Sequence, residues 1–234
     1  MSFVTRIVTG GRLRRLAIFA IGLALIPGST KGVAQSTTKP VLHGRHWVAI
    51  TGKPLGATAG AMIFGRGGNA IDAACAMLAA TSTMWDVLSW GGETQALIFN
   101  PHTQTVVGIN AVGAAPSGAT AEFFRDQGLE FPPQYGPLAA ITPGTPGGLM
   151  VMLAEFGTMS LAEVLAPAIE MADGYPIEAQ AARSIARNRE RLESWSYSRE
   201  VFLVPDGDSL RAPRAGEIFR QPDLARTLRT LVAA

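Results

Sequence analysis

A glycine-rich hexapeptide is the first segment whose residue types and spacing could perform chemistry. Residues Gly65 to Ala70 read GRGGNA and match the pattern G-x-G-x-x-A, with Asp86 about twenty residues further along. In dinucleotide-binding folds this pattern joins a strand to a helix, and the cofactor's pyrophosphate lies at the helix N-terminus. The preceding residues, Ala61 to Phe64, have helical rather than β-branched character. A dinucleotide-binding oxidoreductase is therefore kept only as a distant alternative.

A second pattern, S-x-x-K, occurs at Ser36 to Lys39 and is typical of the nucleophile of penicillin-binding enzymes. That chemistry needs the serine and the lysine on one helical turn, but the following Pro40 disfavours the helical conformation at Lys39. An extended segment is the better interpretation. The chain contains neither the G-x-S-x-G nucleophile elbow nor the G-x-x-x-x-G-K-[ST] phosphate loop.

Cysteine and histidine chemistry is limited by the number of these residues. Cys75 is the single cysteine, and the three histidines, which include His102, form no H-E-x-x-H pair. The sequence therefore contains neither a disulfide framework nor a zinc site of recognised spacing. Cys75 lies in an alanine-rich stretch without a basic neighbour in sequence, so we expect a small buried side chain. We expect His102 to lie in a solvated loop.

Two further groups of side chains allow a functional and a structural interpretation. Trp85 and Trp90 flank Asp86, and they could form a pocket wall or the aromatic core beneath a turn. Four arginines lie close to Glu190 and Glu193 in sequence, and a solvated helix face explains them better than a nucleic-acid-binding stripe. The four are Arg183, Arg187, Arg189 and Arg191.

Composition excludes several classes of protein. Of the 234 residues 47% are hydrophobic and 16% are charged, and this apolar content excludes a disordered, collagen-like or coiled-coil chain. The net charge is +2, but the charges are unevenly placed: the first acidic residue is Asp72, and nine of the twenty basic residues precede it. The basic character therefore belongs to the start of the chain rather than to a nucleic-acid-binding surface.

Residues 1–34 have the organisation of a secretory signal peptide. Four arginines precede an apolar run from Leu16 to Ile26, and a small-residue cleavage site follows at Gly32-Val33-Ala34. As a helix this run would span about 16 Å, which is too short for a hydrocarbon layer of roughly 30 Å. Cleavage would leave fifteen basic and eighteen acidic residues, a net charge of −3. We expect a secreted or periplasmic protein, exported by the general or the twin-arginine route, with an uncleaved anchor as the alternative.

The remainder, residues 35–234, is expected to form one domain built mainly of helices. Pro54 to Phe64 predicts a helix that ends at a glycine turn. Asn69 is predicted to cap the next helix, Ala70 to about Ala80, with Asp72 at the capping-box position. Because alanine occurs on every side, this helix should be buried. Later helices are predicted over Leu149 to Glu155, Ser160 to Ala172 and Ile177 to Leu192.

A β-hairpin and a long loop are expected between the helices. The runs Gln95 to Phe99 and Thr105 to Ile109 have strand character, and Asn100 to Gln104 between them has loop composition. Residues 130–148 are rich in proline and glycine and predict a loop.

The end of the chain predicts one more helix. Leu224, Leu228 and Leu231 share one face of a helix that begins at Pro222. No later segment follows that could cover this apolar face, so we expect the sequence to be a fragment of a longer protein.

The octapeptide GGNAIDAA, from Gly67 to Ala74, resembles the G-G-N-A-x-D-A-A signature of γ-glutamyltransferases, also called γ-glutamyltranspeptidases or glutathione hydrolases. The order of later segments is similar to that family as well, and the resemblance covers the chain from about Pro40 onwards. These segments are Gly91-Gly92, Ala115-Pro116, Thr142-Pro143-Gly144, Gly147-Gly148-Leu149, Pro167-Ala168-Ile169 and Gln221-Pro222-Asp223-Leu224-Ala225.

The resemblance implies an α+β fold, the αββα sandwich of N-terminal nucleophile hydrolases, which is incomplete in this chain. It implies a precursor that cleaves itself into a large and a small subunit, so that the partner of this chain is the missing small subunit. The implied substrate is a small-molecule γ-glutamyl or related acyl amide. No cofactor, metal, nucleic acid or membrane contact beyond the signal peptide is implied.

Two departures from the family pattern concern the active site. The family's nucleophile is the threonine freed at the small subunit's N-terminus, so we expect it beyond Ala234 and assign no catalytic residue to this chain. The family has a substrate-binding Arg-Glu pair, whose arginine binds the substrate's α-carboxylate. This pair corresponds to Val112 and Gly113 in the stretch that begins at Asn110. An acylase or amidase of the same fold with a non-glutamyl substrate, and a non-catalytic fragment, are therefore alternatives.

Overall fold

The computed structural model describes residues 42–84 and 89–234. The chain divides into two units, Met1–Leu42 and His43–Ala234, and the account below concerns the second. The predicted signal peptide of residues 1–34, the pattern from Ser36 to Lys39, and Trp85 with Asp86 lie outside the described residues. What the sequence predicts for them stays a prediction.

Helices and short strand pairs alternate along the second unit. The helices are α1 (Pro54–Gly65), α2 (Ala70–Ser82), α3 (Ala121–Asp126), α4 (Thr145–Phe156), α5 (Leu161–Asp173), α6 (Ala179–Arg187), α7 (Arg189–Glu193), α8 (Ser196–Phe202) and α9 (Pro222–Ala233). The strands are β1 (Thr94–Asn100), β2 (Thr105–Ala111), β3 (Tyr175–Pro176), β4 (Val204–Asp206), β5 (Ser209–Arg211) and β6 (Ile218–Phe219). Each strand pairs antiparallel with one partner, β1 with β2, β3 with β6 and β4 with β5.

Helices α1 and α2 pack closely because small residues lie between them. A Cβ atom added to Gly60 would lie 2.8 Å from the side chain of Met77, and one added to Gly56 would lie 2.7 Å from Thr81 Cγ2. Ala76, near the middle of α2, is fully buried. The prediction of two helices separated by a glycine turn, the second of them buried, is confirmed.

The main hydrophobic core lies where α1, α2, α4, α5 and α9 meet. Helix α5 packs against α2, and α9 packs against α5. The expectation that the apolar face of the last helix lacks a partner in this chain is therefore wrong, because Leu228 is 1% exposed in this core. The larger fully buried side chains of the main core are Ile63, Leu149, Val164, Leu165 and Leu228.

The hairpin of β1 and β2 places one face on the core and leaves the other open. Ile98 is 6% exposed and belongs to the main core, and helix α4 packs against both strands. On the opposite face Leu97 is 82% exposed and Val106 is 62% exposed. The predicted hairpin is confirmed, with strands that extend from Thr94 to Asn100 and from Thr105 to Ala111.

The region after α5 differs from its prediction as a single helix over Ile177 to Leu192. Tyr175 and Pro176 form β3, and the helix is interrupted at Asn188, whose side-chain amide donates to the Ser184 carbonyl oxygen at 2.7 Å. Asparagine side chains compete with the backbone in this way and favour helix ends. A second core forms here around Tyr175, Ile177, Ile185, Leu192, Leu203 and Phe219.

The predicted loop of residues 130–148 ends earlier than expected, because α4 begins at Thr145. Pro146 lies in the first turn of the helix, where its missing N–H removes no intrahelical hydrogen bond. The short helix α3, capped by Thr120, is not predicted by the sequence. Within the described residues, no helix has both the length and the apolar content needed to cross a membrane.

Candidate active site

The family-like octapeptide forms a structural clamp at the start of α2. Asn69 is the N-cap: its Oδ1 accepts hydrogen bonds from the backbone N–H groups of Ile71 at 2.8 Å and Asp72 at 3.0 Å. Its Nδ2 donates to the carbonyl oxygen of Phe156 at 2.7 Å, which ties α2 to the end of α4. The predicted capping box is confirmed, since Asp72 Oδ2 accepts from the Asn69 N–H at 2.8 Å.

Asp72 is fully buried and is saturated with donors. Besides the Asn69 N–H, it accepts from Thr158 N at 2.9 Å, Thr158 Oγ1 at 2.6 Å and Met159 N at 3.1 Å. Burial alone would raise the pKa of this carboxyl, but the hydrogen bonds, that of the Thr158 hydroxyl foremost, outweigh burial and lower the pKa below its usual value. The side chain is thus a charged structural link between α2 and the α4–α5 connection.

This geometry contradicts the dinucleotide alternative. The segment before Gly65 is helix α1 rather than a strand, so the strand–turn–helix unit that the pattern requires is not formed. The N–H groups at the start of α2 are held by Asn69, and Asp72 places a negative charge where a pyrophosphate would lie.

The residues assigned to substrate binding lie at the end of β2, against the first turn of α4. Asn110 is exposed near the end of the strand and Val112 is 45% exposed just after it. Gly113 passes so close to the next loop that an added Cβ would lie 1.5 Å from the Thr142 carbonyl oxygen. Gly144 is equally constrained, since its Cβ would lie 2.1 Å from the Ala111 oxygen.

Hydrogen bonds hold this corner in place. The carbonyl oxygen of Gly92 accepts from the N–H groups of Gly144 at 2.8 Å and Thr145 at 3.0 Å. The buried hydroxyl of Thr145 accepts from Thr94 Oγ1 at 3.1 Å, which links β1 to α4. The end of the hairpin and the start of α4 are therefore one rigid corner.

An open groove of about 480 Å³ runs along this corner, and the residues described there carry no ionisable side chain. They are Gly108 to Gly113, Pro143, Gly144, Gly147, Gly148 and Val151. A second hollow of about 600 Å³ lies on the open face of the hairpin and is bordered by Gln95, Leu97, Gly108, Asn110 and Val112.

Comparisons with known proteins agree with this arrangement. Residues 56–234 match the family model described as gamma-glutamyltranspeptidase. The chain belongs to the γ-glutamyltranspeptidase family. It is 30% identical over 225 residues to the glutathione hydrolase proenzyme of Bacillus subtilis, covering 90% of this chain and 38% of that protein.

Two further relatives of this γ-glutamyltranspeptidase-family chain show the range of the family. The oxamate amidohydrolase proenzyme of Klebsiella pneumoniae is 35% identical over 196 residues, 80% of this chain and 36% of its own length. The crystal structure of Helicobacter pylori γ-glutamyltranspeptidase superposes with a TM-score of 0.76 at 32% identity, covering 83% of this chain and 56% of that chain.

The predicted fold class is confirmed by this superposition: the chain has the helix-rich α+β arrangement of part of an N-terminal nucleophile hydrolase. It spans less than two fifths of the length of the two proenzymes. Among the described residues, no cluster of three or more metal-ligating side chains is present.

The other candidate residues of this γ-glutamyltranspeptidase-family chain lie in the core or in an exposed loop. Cys75 is buried, as predicted, with Sγ 3.8 Å from the Leu149 carbonyl oxygen, and burial with the charge of Asp72 raises its pKa to about 12. His102 is exposed in the hairpin loop, as predicted. Trp90 packs against the main core.

The four arginines lie away from the hairpin, on α6 and α7. Arg183, Arg187 and Arg189 are exposed, as predicted, and Arg189 pairs with Glu193 at 2.7 Å. Arg191 instead lies over the ring of Tyr135, 3.6 Å from its centroid.

Sequence reasoning missed two polar pairs near these elements. Gln95 lies directly opposite Asn110 in the hairpin, but the loop was predicted one residue too long, so this register did not follow from the sequence. Lys53, 4% exposed, pairs with Glu178 at 2.6 Å. No local signal identifies that pair, because the two residues are 125 positions apart.

Proposed function

We propose that this chain is the front part of a precursor that hydrolyses or transfers γ-glutamyl or related acyl groups from amides. The observation that carries the proposal is the family match over residues 56–234, together with relatives that are proenzymes more than twice as long. In this proposal the precursor cleaves itself, and the large subunit, which contains this chain, stays with the small subunit as its partner.

The nucleophile in this proposal is the threonine at the N-terminus of the small subunit, beyond Ala234. A terminal threonine carries its own general base, since the α-amine can accept the hydroxyl proton. The acyl group passes to the hydroxyl, the amine leaves, and water or a second amine then takes the acyl group. Backbone N–H donors would stabilise the tetrahedral oxyanion.

The exposed apolar side chains on the open face of the hairpin support the proposal that another segment packs there. Leu97, Phe99 and Val106 are 82%, 58% and 62% exposed on one side of a two-stranded sheet. Contiguous exposed apolar side chains of this kind mark surfaces that another segment covers. We assign that role to the remainder of the precursor.

The substrate-binding part of the site is assigned to Asn110, Val112 and Gly113. A buried Arg–carboxylate contact is worth on the order of 2–5 kcal/mol when one partner is truncated. Val112 cannot make this contact, and the groove beside it carries no described cation. This observation favours the second candidate, an acylase or amidase whose substrate is not an α-amino acid, as in the amide-hydrolysing relative named for oxamate.

Activity is tested with the full-length precursor. We expect it to process into two subunits, with threonine as the first residue of the smaller one by N-terminal sequencing. Hydrolysis of a γ-glutamyl anilide should lie far below that of arginine-containing relatives, and Val112→Arg should raise it. Turnover equal to that of those relatives would show that the carboxylate is held in another way, and replacing the terminal threonine by alanine should abolish all turnover.

Export is part of the proposal, supported by the arginines and the apolar run within residues 1–34. We expect a secreted or periplasmic protein that begins after residue 34. Mass spectrometry of the exported protein measures this directly, and an intact Met1 would contradict cleavage.

A further inference from the structure

We propose that Gln95 and Asn110 form an amide pair that binds the polar end of the acyl group and selects a neutral acyl donor. The inference rests on the proposed function, because it concerns the substrate of that same site. The inference adds a pair of recognition residues and a substrate class to the proposed function.

The register of the hairpin places the two amides side by side. Gln95 and Asn110 are directly opposite each other in the antiparallel pair, so both side chains project from the same face, with Cβ atoms about 4.5–5.5 Å apart. Both are exposed, on the face that also carries Leu97. Val112 follows Asn110 by two residues and borders the same hollow. The pair therefore lies next to the position of the family's arginine.

The chemistry of the pair favours a neutral partner. Each amide offers an NH₂ donor and a carbonyl acceptor, so two adjacent amides present both kinds of group. A carboxylate has acceptors only, and it would leave the carbonyl oxygens of Gln95 and Asn110 without donors. The described residues that border the hollow include no cation to offset the desolvation of that charge. A carboxamide satisfies donors and acceptors on both sides.

The rest of the hollow fits the apolar part of such an acyl group. Gly108 lies opposite Leu97, and a Cβ added to Gly108 would meet only the Leu97 Cδ2 atom, at 3.9 Å. The floor of the hollow is thus open backbone, flanked by the side chains of Leu97 and Val112. A short methylene chain can lie there with its polar end at the amide pair, and the remainder of the precursor, which we propose packs on Leu97, then closes the hollow over it.

The test uses the processed full-length protein and three 4-nitroanilides whose acyl chains have the same length. The acyl groups are 4-carbamoylbutanoyl, which is neutral and polar, glutaryl, which is an acid, and hexanoyl, which is apolar. We expect kcat/KM for the carbamoyl substrate to exceed that for each of the others at least tenfold.

The variants Asn110→Leu and Gln95→Met keep the shape of each side chain and remove its hydrogen bonds. Each should lower kcat/KM for the carbamoyl substrate about tenfold, through KM rather than kcat, so that the preference for the carbamoyl over the hexanoyl substrate falls by a similar factor. Gln127→Met, an exposed amide at the end of α3, is the matched control and should change none of the three values. Complete processing of each variant shows that it folds.

Two results would overturn the inference while the proposed function stands. One is a processed enzyme in which both variants keep the wild-type preference among the three substrates. The other is a wild-type enzyme that cleaves the γ-glutamyl anilide at least as well as the carbamoyl one. A precursor that neither processes nor cleaves any anilide would overturn the proposed function itself, and this inference with it.

Discussion

The clamp around Asn69 and Asp72 differs from the open face of the β1–β2 hairpin in how completely its side chains are bonded and covered by neighbouring residues. In the clamp every oxygen of Asp72 accepts hydrogen bonds from described neighbours, and the carboxylate is fully buried. On the hairpin face Leu97 and Phe99 are exposed, and the amides of Gln95 and Asn110 point the same way. The clamp is complete within the described residues, whereas those residues leave the apolar side chains of the hairpin face uncovered.

This difference shows that a family signature and a family's chemistry can lie in different places. Two residues of the octapeptide that resembles the family, Asn69 and Asp72, have a structural role, since the buried carboxylate of Asp72 accepts four hydrogen bonds. It holds α2 against the α4–α5 connection. The position proposed to bind substrate, Val112, is exposed, and substitution of an exposed side chain costs little stability. If the proposed role of Val112 is right, substrate choice can change there while the fold is kept.

The largest effect is expected at the clamp. Asp72→Ala removes a fully buried acceptor of four hydrogen bonds and should destabilise the chain by about 3–5 kcal/mol. Urea unfolding followed by circular dichroism measures this. Ser160→Ala removes a solvent-exposed helix cap and should cost only about 1 kcal/mol. Equal losses in the two variants would show that the clamp is no stronger than an ordinary cap.

A slightly smaller effect is expected on the buried side of the hairpin. Ile98 is 6% exposed in the main core, so Ile98→Ala should cost about 2–4 kcal/mol by the lost burial and the cavity left behind. The same unfolding measurement applies. A loss below about 1 kcal/mol would mean that the hairpin is not anchored to the core and that both of its faces are loosely held.

The sequence could predict the elements whose signals are local. The Asn69 cap, the alanine-rich α2 and the two strands each have a signal within a few residues. The Thr158 and Met159 contacts of Asp72 were not predictable, because those residues lie 86 and 87 positions away. The break at Asn188 was hidden because the residues on both sides are helical, and the hydrogen bond from the Asn188 side chain to the Ser184 carbonyl oxygen is not marked by any spacing in the sequence.

The candidate site was predictable only in part. Val112 stood out by comparison with the family's pattern, whereas its neighbour Gln95 depends on the exact register of the hairpin. Local spacing predicted the Leu228 face of α9 but gave no sign that α5 covers it. Pairings of this kind are decided by packing between distant segments, which single-sequence patterns do not contain.

The clamp should also make stability depend on pH. The folded state lowers the pKa of Asp72 below its usual 3.8, so its stabilisation is fully present above about pH 4 and is lost as the pH falls through the folded pKa. We expect the unfolding free energy of Asp72→Asn to fall less between pH 5 and pH 2 than that of the wild type. The hydrogen bond from Arg211 lowers the pKa of Glu217 to about 2. Glu217 contributes equally to the pH dependence of the wild type and of Asp72→Asn, so its contribution cancels in their difference. If the unfolding free energies of the two proteins fall in parallel with pH, the charge of Asp72 does not contribute to stability.

The smallest effect is expected on the open face. Leu97 is 82% exposed, so Leu97→Ser should change the stability of this chain by no more than about 0.5 kcal/mol, far less than Ile98→Ala on the next residue. In the processed full-length protein the same substitution should cost about 2–3 kcal/mol, since the proposed partner buries that side chain. Thermal unfolding of both forms gives the comparison. If Leu97→Ser is equally mild in both, the open face is solvent-exposed in the whole protein, and the hairpin needs no partner to be complete.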